Sequence, residues 1–248
     1  MDIRESTRLK DLERIAKFRL MDDDFMSVVF NNNIEATQLV VDIILKDKSI
    51  KVKKVISQKE YRSLQGRTIK LDVFAEDKNG LPIDIEIQRA DKGAVPQRAR
   101  FHSSMMDSEM LEKRDDFSKL KESYVIFITE NDVLKKSLPI YHINRKIEET
   151  NEDFGDGSHI IYVNGKYNGT DDIGKLMHDF RCTKAEEMKF AALSDKVKYF
   201  KEDEGGRGTV CKIMEDMRNE ATVEATVEAY KAVAINLLKA GKLSVQEI

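Results

Sequence analysis

The chain has 248 residues, of which 41% are hydrophobic and 35% are charged, so it is long enough for one large domain with its own core. The net charge of −3 excludes an overall basic protein, a common type among nucleic-acid-binding domains, and leaves room only for a local basic patch. Two cysteines, Cys182 and Cys211, offer neither a disulfide framework nor zinc-ligand spacing. We therefore expect a reduced, intracellular protein.

The sequence shows no targeting or membrane-spanning segment. The N-terminal residues carry charges throughout and lack the apolar stretch of a signal peptide. No run approaches the ~18 apolar residues that a membrane-spanning helix needs. These features predict a cytoplasmic protein with no membrane partner.

Two helices and a strand are predicted first. The acidic residues of MDDDFMSVVF (21–30) are suited to the start of a short helix. IEATQLVVDIIL (34–45) has apolar residues at helical spacing, with Glu35 in the first turn, where a glutamate is favourably placed. KVKKVIS (51–57) predicts a strand.

A hairpin is predicted at residues 69–88, IKLDVFAEDKNGLPIDIEIQ, because two alternating segments flank the turn sequence DKNG. In the first strand, alternation places Leu71 and Val73 on one face and Asp72 on the other. In the second strand, Asp84, Glu86 and Gln88 share the face opposite three isoleucines. Both strands thus carry polar side chains that call for an explanation.

The length of the hairpin loop decides which of these side chains meet. A three-residue loop (78–80) places Asp72 directly opposite Glu86, with Cβ atoms ~4.5–5.5 Å apart. Gln88 follows on the same face, ~6.6 Å along the strand. A two-residue loop would instead place Asp72 opposite Ile87.

Two carboxylates on one face repel each other unless a cation lies between them. Mg²⁺ is usually held by one or two carboxylates, with water and substrate phosphate completing its ligands. Asp72 and Glu86 would supply the carboxylates, and the backbone carbonyl of Ile87 a third oxygen. Such an ion polarises a phosphodiester. The alternative is a solvated face, which is normal for an antiparallel hairpin.

A helix and a buried strand follow the hairpin. VPQRARFHSSMMDSEMLEK (95–113) predicts a helix with Phe101 and Met105 facing inward. YVIFIT (124–129) is a continuous apolar run, typical of a strand buried on both faces. The order helix, three strands, helix, strand predicts a mixed α/β core. The four histidines show no ligand spacing and are interpreted as ordinary surface or core residues.

The last third of the chain is predicted to be mainly helical. HIIYVNGKY (159–167) predicts a further strand, residues 171–182 and 184–201 predict helices, and EGGRG (204–208) predicts a break. A final helix, 209–239, carries a heptad stripe that either packs on its own domain or forms a dimer. The stripe consists of Val223, Val227, Tyr230, Ala234 and Leu237.

The C-terminal residues predict the start of one more helix. Ser244 and Glu247 have the spacing of a capping box, and the sequence ends directly after them. We therefore expect a frayed or truncated C-terminus.

These segments together resemble the PD-(D/E)XK nuclease superfamily, and more closely its recombination-promoting nuclease or transposase family. The resemblance rests on LDVFAEDKNGLPIDIEIQ, QRARFHSSMMDSEML and YVIFI, and continues through DFMSVVFNN, YVNGKY and LMHDFRC. Each motif alone is weak, but their order and spacing are specific. The resemblance implies an α/β fold with a restriction-endonuclease-like mixed sheet flanked by helices. The nuclease-like core would occupy residues 1–170, and an α-helical C-terminal region residues 171–248.

The resemblance also implies an activity: Mg²⁺-dependent DNA endonuclease, with Mn²⁺ as an alternative ion, linked to recombination or mobile elements. Asp72 and Glu86 match the metal-binding acids of the family. Gln88 matches the position of the motif lysine; it can orient a water but cannot carry a lysine's charge.

Three further residues are candidates for the site. Arg98 and Arg100, on the helix after the motif, would contact DNA phosphates, although a solvated helix face explains each equally well. Glu35 is a candidate extra acid. The rival to a nuclease is a catalytically degenerate DNA-binding or oligomerisation module, which the absent motif lysine and the near-zero net charge favour.

Overall fold

The computed structural model describes residues 3–62 and 66–239, where helices cover both faces of a six-stranded mixed sheet. The helices are α1 (Ile3–Lys17), α2 (Asp23–Phe30), α3 (Ile34–Leu45), α4 (Pro96–Met110), α5 (Asp172–Arg181), α6 (Ala191–Glu202) and α7 (Glu204–Lys239). The strands are β1 (Val52–Tyr61), β2 (Ile69–Asp77), β3 (Pro82–Gln88), β4 (Ser123–Thr129), β5 (Ile140–Ile143) and β6 (Ser158–Asn164). The predicted fold class, a restriction-endonuclease-like sheet with a C-terminal helical extension, is confirmed.

The strand order is β1-β2-β3-β4-β6-β5. The pairs β1/β2, β2/β3 and β5/β6 are antiparallel, while β3/β4 and β4/β6 are parallel. Helix α4 makes the crossover between the parallel strands β3 and β4, as such a connection requires. Strand β5, which is short and only partly buried, was not predicted from the sequence.

Two hydrophobic clusters lie on opposite faces of the sheet. Strand β4 contributes Ile126 and Ile128 to the larger cluster, with α1–α3 and α5–α7, and Val125 and Phe127 to the smaller one, with α4. The continuous apolar run of β4 is therefore buried on both faces, as predicted. The isoleucines of β3 join the larger cluster, so the polar residues between them face α4.

The hairpin has the three-residue loop and the register that the sequence predicts. Asp77 N–H donates to Leu81 O at 3.1 Å, and Gly80 has a φ of +76°, a left-handed conformation that glycine adopts readily. Val73 pairs with Ile85, so the next residues along, Asp72 and Glu86, lie opposite each other.

The simple alternation predicted for β2 is wrong at Asp72. Leu71 packs in the cluster on the α4 face, whereas Val73 packs in the cluster on the other face. On β1, Gln58 lies across from Asp72, between the paired Ser57 and Lys59, and has a φ of +57°. A left-handed residue inside a strand disturbs the pleat, so both strands change the face they present at this point.

The inward face of α4 also differs from the prediction. Phe101 is 37% exposed, whereas Met105 is partly buried against the smaller cluster, as predicted. The helix also buries Ala99, His102, Ser103 and Met106. Two of these side chains are polar, which an analysis of apolar spacing does not detect.

The C-terminal helices share the main core rather than forming a separate one. Ile173, Phe180, Leu193 and Val210 belong to the same cluster as the helices before the sheet. The boundary between the nuclease-like core and the C-terminal region, placed at residue 170, stays a prediction. The hydrophobic packing shows no break there.

The predicted break at 204–208 is wrong, because α7 already begins at Glu204. The turn lies at Asp203, whose Oδ1 accepts the N–H of Gly205 at 2.9 Å. A Cβ on Gly206 would overlap the carbonyl oxygen of Tyr199, so this glycine serves the close approach of α6 and α7.

The distal part of α7 projects an apolar stripe. Val223 is 62% exposed, Val227 43% and Tyr230 71%. The first of the two predicted roles, packing on its own domain, is therefore not observed for these residues. Ser244 and Glu247 lie outside the described residues. No helix in the described part of the chain is long and apolar enough to span a membrane.

Candidate active site

Main-chain pairing between β2 and β3 ends before Asp72 and Glu86. From this point, hydrogen bonds between side chains and the main chain connect the two strands. Val73 with Ile85 is the last main-chain pair before this point. Asp72 N–H donates to Glu86 Oε1 at 3.0 Å, and Ile87 N–H donates to Asp72 Oδ2 at 2.9 Å. Each acid therefore accepts a main-chain N–H of the opposite strand, which holds the two carboxylates side by side.

Glu86 is fully buried, with a relative exposure of 0%. Arg98 Nη2, from α4, donates to its Oε2 at 2.6 Å. Burial and the nearby charge of Asp84 outweigh this cation and raise the pKa of Glu86 to about 8. At neutral pH such an acid is mostly protonated unless a further cation joins it.

Asp84 and His102 form a second buried layer behind Glu86. Asp84 Oδ2 lies 2.8 Å from His102 Nδ1, and Arg98 Nε donates to His102 Nε2 at 3.3 Å. Because Nε2 is the acceptor, the ring proton is assigned to Nδ1, which donates to Asp84. Burial and then the charge of Asp72 raise the pKa of Asp84 well above its usual value, and burial lowers that of His102.

These five residues, Asp72, Asp84, Glu86, Arg98 and His102, are called the inner site. Burial and then the charge of Glu86 raise the pKa of Asp72 well above its usual value. If all three acids ionise, three negative charges oppose the single positive charge of Arg98. This deficit of two charges, with oxygen donors, fits a hard divalent cation such as Mg²⁺ or Mn²⁺.

Two donor sets within the inner site are available to a cation. Single ligand atoms of Asp84, Glu86 and His102 all lie within 4.8 Å of one another, but these residues are completely buried. Asp72 is only half-buried, so the pair Asp72 and Glu86 opens to solvent. Mg²⁺ keeps several waters and binds substrate phosphate, which favours the open pair.

Gln88 ends β3 beside the inner site. A Cβ on Gly93 would overlap Gln88 Oε1 and lie 3.5 Å from Arg98 Nη1. The absence of a side chain at Gly93 thus lets the amide of Gln88 and the guanidinium of Arg98 approach the same point. Arg98 Nη1 also donates to Gly93 O at 3.1 Å.

The remaining predicted residues lie elsewhere. Arg100 is exposed on α4 and Glu35 is exposed in the first turn of α3. In the described ranges neither makes a hydrogen bond or ion pair with the acids of the inner site. Arg98 is brought to the site, but its donors point to protein acceptors.

Asp23, in the first turn of α2, is the helix acid that acts on the site. Its charge contributes to the raised pKa of Asp72. Partial burial and then Asp24 raise the pKa of Asp23 itself, while Arg98 lowers it. The acidic run in MDDDF was interpreted only as a helix start, and its position in the fold gives it this second role.

Two residues of the inner site were therefore missed, Asp84 as a partner of a histidine and His102, and so was the electrostatic effect of Asp23 on Asp72. His102 lies four residues after Arg98, a spacing that places both on one face of a helix. That spacing was the available signal.

A second group of metal-ligand types, His178, Asp179 and Cys182, surrounds the end of α5. Asp179 already accepts the N–H groups of Lys189 and Phe190, at 2.7 and 2.9 Å. Its carboxylate thereby fixes the chain leading into α6, which is a structural role.

An outer cluster lies at the ends of β3 and β4 and consists of Arg19, Asp22, Arg89 and Glu130. Arg19 Nη1 is 2.7 Å from Glu130 Oε1, and Arg89 Nη1 is 3.0 Å from Asp22 Oδ1. A cleft of about 420 Å³ adjoins this cluster and is lined by two further cations, Arg14 and Lys17, and by two further acids, Asp23 and Asp24.

Comparison with known proteins gives one family. A model described as PD-(D/E)XK nuclease family transposase matches residues 28–172, which include β1–β4, α4 and every residue of the inner site. No curated protein and no solved structure matches the chain significantly.

Proposed function

This chain belongs to the PD-(D/E)XK nuclease family transposases, and on that premise we propose that it is a divalent-metal-dependent DNA endonuclease acting in recombination or mobile-element movement. Mg²⁺ is the proposed ion, with Mn²⁺ as the alternative. The observation that carries the proposal is the pair Asp72 and Glu86, held side by side by main-chain N–H groups in a site with too few cations.

Asp72 and Glu86 would hold the ion, with the carbonyl of Ile87 as a further oxygen ligand. When bound, the ion supplies Lewis-acid stabilisation of the charge that develops on the phosphoryl oxygens. Asp23 would add negative charge at the edge of the site, in the role first assigned to Glu35.

Gln88 would orient the attacking water through its amide. The water oxygen forms the new bond to phosphorus and gives up a proton to solvent, while the bond to the leaving sugar oxygen breaks in line with it and that oxygen takes a proton from solvent. Arg98 would hold Glu86 in place through its hydrogen bond to Oε2.

DNA phosphates would bind at the rim of the site. Arg100 on α4 is exposed, and Arg14 and Lys17 line the cleft beside the outer cluster. Such contacts position DNA without reading its sequence.

Nicking of supercoiled plasmid by the purified protein tests the proposal, with Mg²⁺, Mn²⁺ or EDTA. The variants Asp72→Asn and Glu86→Gln keep the main-chain hydrogen bonds but remove the charges. We expect nicking to need the metal and to fall at least about 100-fold in each variant, because a metal ligand is worth more than its supporting residues.

The surface variant Glu112→Gln is the control and should cut like the wild type. Cleavage that persists in both amide variants would reject the inner site as the nuclease centre. The rival, a DNA-binding module, would be established by a different result. The folded wild type would cut DNA with neither ion, and the wild type and Asp72→Asn would bind DNA equally well.

A second copy of the chain is the proposed partner of the exposed stripe on α7. The stripe has a heptad spacing and large exposed side chains, which favour helix pairing. Light scattering should give a dimer mass for the wild type and a monomer mass for Tyr230→Glu. A monomeric wild type at assay concentration would refute this part.

A further inference from the structure

We propose that His102 is a positioning residue for the metal-holding carboxylate of Glu86, and that it acts through Arg98. The inference rests on the proposed function, since it assigns a role toward the same ion. His102 Nδ1 lies 3.7 Å from Glu86 Oε1, beyond hydrogen-bond distance. The hydrogen-bonded route from the ring to Glu86 therefore runs through the guanidinium of Arg98.

The contacts form one continuous chain. Asp84 Oδ2 is 2.8 Å from His102 Nδ1, His102 Nε2 accepts from Arg98 Nε at 3.3 Å, and Arg98 Nη2 donates to Glu86 Oε2 at 2.6 Å. Asp84 fixes the tautomer, because a carboxylate at Nδ1 leaves Nε2 free to accept. The histidine thereby fixes the orientation of the guanidinium.

Orientation of Arg98 matters because its two terminal nitrogens serve different acceptors. Nη1 donates to Gly93 O at 3.1 Å while Nη2 binds Glu86. Arg98 is 34% exposed, so without a third anchor at Nε its side chain can turn toward water. Glu86 Oε2 would then lose its charge-assisted hydrogen bond, and the carboxylate its fixed direction.

Packing alone does not explain a histidine here. The ring is 2% exposed, lies 6.0 Å from the ring of Phe127 and belongs to the face of α4 that packs on an apolar cluster. An apolar side chain would fill this place without the cost of burying two ring nitrogens and Asp84. We therefore assign the polar contacts of Asp84, His102 and Arg98 a role in orienting Glu86, to which they lead.

Two isosteres separate the contacts of the ring. Asn at a histidine position reproduces Nδ1, so His102→Asn keeps the bond to Asp84 but loses the acceptor for Arg98. Gln reproduces Nε2, so His102→Gln keeps the acceptor for Arg98 but leaves Asp84 unpaired. The readouts are the Kd of Mn²⁺, measured by electron paramagnetic resonance, and the thermal midpoint without metal.

The two variants should change different readouts. We expect His102→Asn to weaken Mn²⁺ binding about 10–100-fold, the usual effect of a residue that orients a ligand. His102→Gln should bind Mn²⁺ like the wild type but melt at a lower temperature, because it leaves a buried carboxylate unpaired. In an Arg98→Ala background, His102→Asn should cause no further loss of Mn²⁺ affinity, because the residue through which it acts is already absent.

Ser103→Ala is the matched control. Ser103 is the next residue on α4, is 2% exposed, and its Oγ has no hydrogen-bond partner among the described residues. Both readouts should stay at wild-type values in this variant.

Three outcomes would overturn the inference. A folded His102→Asn that binds Mn²⁺ as tightly as the wild type removes the link to Arg98. Additive losses in the double variant show that the two residues act separately. A wild type that binds no Mn²⁺ at all refutes the proposed function, and the inference with it.

Discussion

The inner site and the outer cluster both combine aspartate, glutamate and arginine, but they balance their charges differently. In the outer cluster, Glu130 is in contact with both Arg19 and Arg89. Although its partial burial acts to raise the pKa of Glu130, the two arginines outweigh that effect and lower it. In the inner site, three acids share Arg98, and the pKa of Glu86 rises to about 8.

The two groups of residues therefore differ in charge balance: protein cations neutralise the acids of the outer cluster but not those of the inner site. The outer cluster neutralises its acids with protein cations, so it needs nothing from solution. The inner site keeps its acids close together by main-chain hydrogen bonds despite their repulsion. Such a conflict is typical of functional sites.

Replacing one acid in each place gives the largest expected effect. Glu86→Gln should weaken Mn²⁺ binding by more than the about 10–100-fold loss typical of a supporting residue, because it removes a ligand charge. Glu130→Gln should leave the Kd unchanged. Isothermal titration of both variants measures this, and equal losses would contradict the distinction between the two places.

The stability of the metal-free protein should also depend on pH, an effect smaller than the loss of Mn²⁺ binding. Glu86 in the inner site and Glu130 in the outer cluster should contribute to it with opposite signs. The ordinary pKa of Glu86 is 4.5 and its folded value is about 8. Between these values the folded protein holds a proton that the unfolded chain has lost. The free energy of unfolding without metal should therefore fall as pH rises across this window, by up to about 1.4 kcal/mol per pH unit.

Urea unfolding in EDTA from pH 5 to pH 8.5 measures this contribution. Glu86→Gln should remove its share and make the profile less steep, while the raised pKa values of Asp72 and Asp84 keep part of the slope. Glu130→Gln should keep the contribution of Glu86. Because the pKa of Glu130 is lowered, its own contribution is present at higher pH and is lost as pH falls. Parallel profiles of the wild type and Glu86→Gln from pH 5 to pH 8 would contradict the raised pKa of Glu86.

The sequence predicted the parts of the site that depend on local geometry. Alternation and the three-residue loop were enough to oppose Asp72 and Glu86, because register follows from the turn. The face change at Asp72 was not predictable in this way. It depends on a left-handed Gln58 in the neighbouring strand, and glutamine carries no signature of that conformation.

The parts that depend on packing between elements were predicted less well. His102 was set aside because its partners, Asp84 and Arg98, lie on a strand and on its own helix, and apolar spacing pointed to Phe101 instead. Asp23 and Glu35 each lie in the first turn of a helix. The sequence alone does not show which of the two helix starts lies near Asp72 and Glu86. Only the docking of α2 and α3 distinguishes them.

The hydrogen bonds that Asp72 and Glu86 accept from the main chain also affect how this chain can drift once selection for activity relaxes. Alanine at either position leaves a main-chain N–H without its acceptor, which costs about 1–3 kcal/mol when the group is buried. An amide keeps one acceptor oxygen for that N–H. At Glu86 the second oxygen accepts from Arg98 Nη2, so glutamine would place its NH2 group against that donor, whereas asparagine keeps the main-chain contact of Asp72. Drift that is filtered by folding alone would therefore substitute Asn for Asp72 more readily than Gln for Glu86, and an inactive descendant would keep the outline of the site.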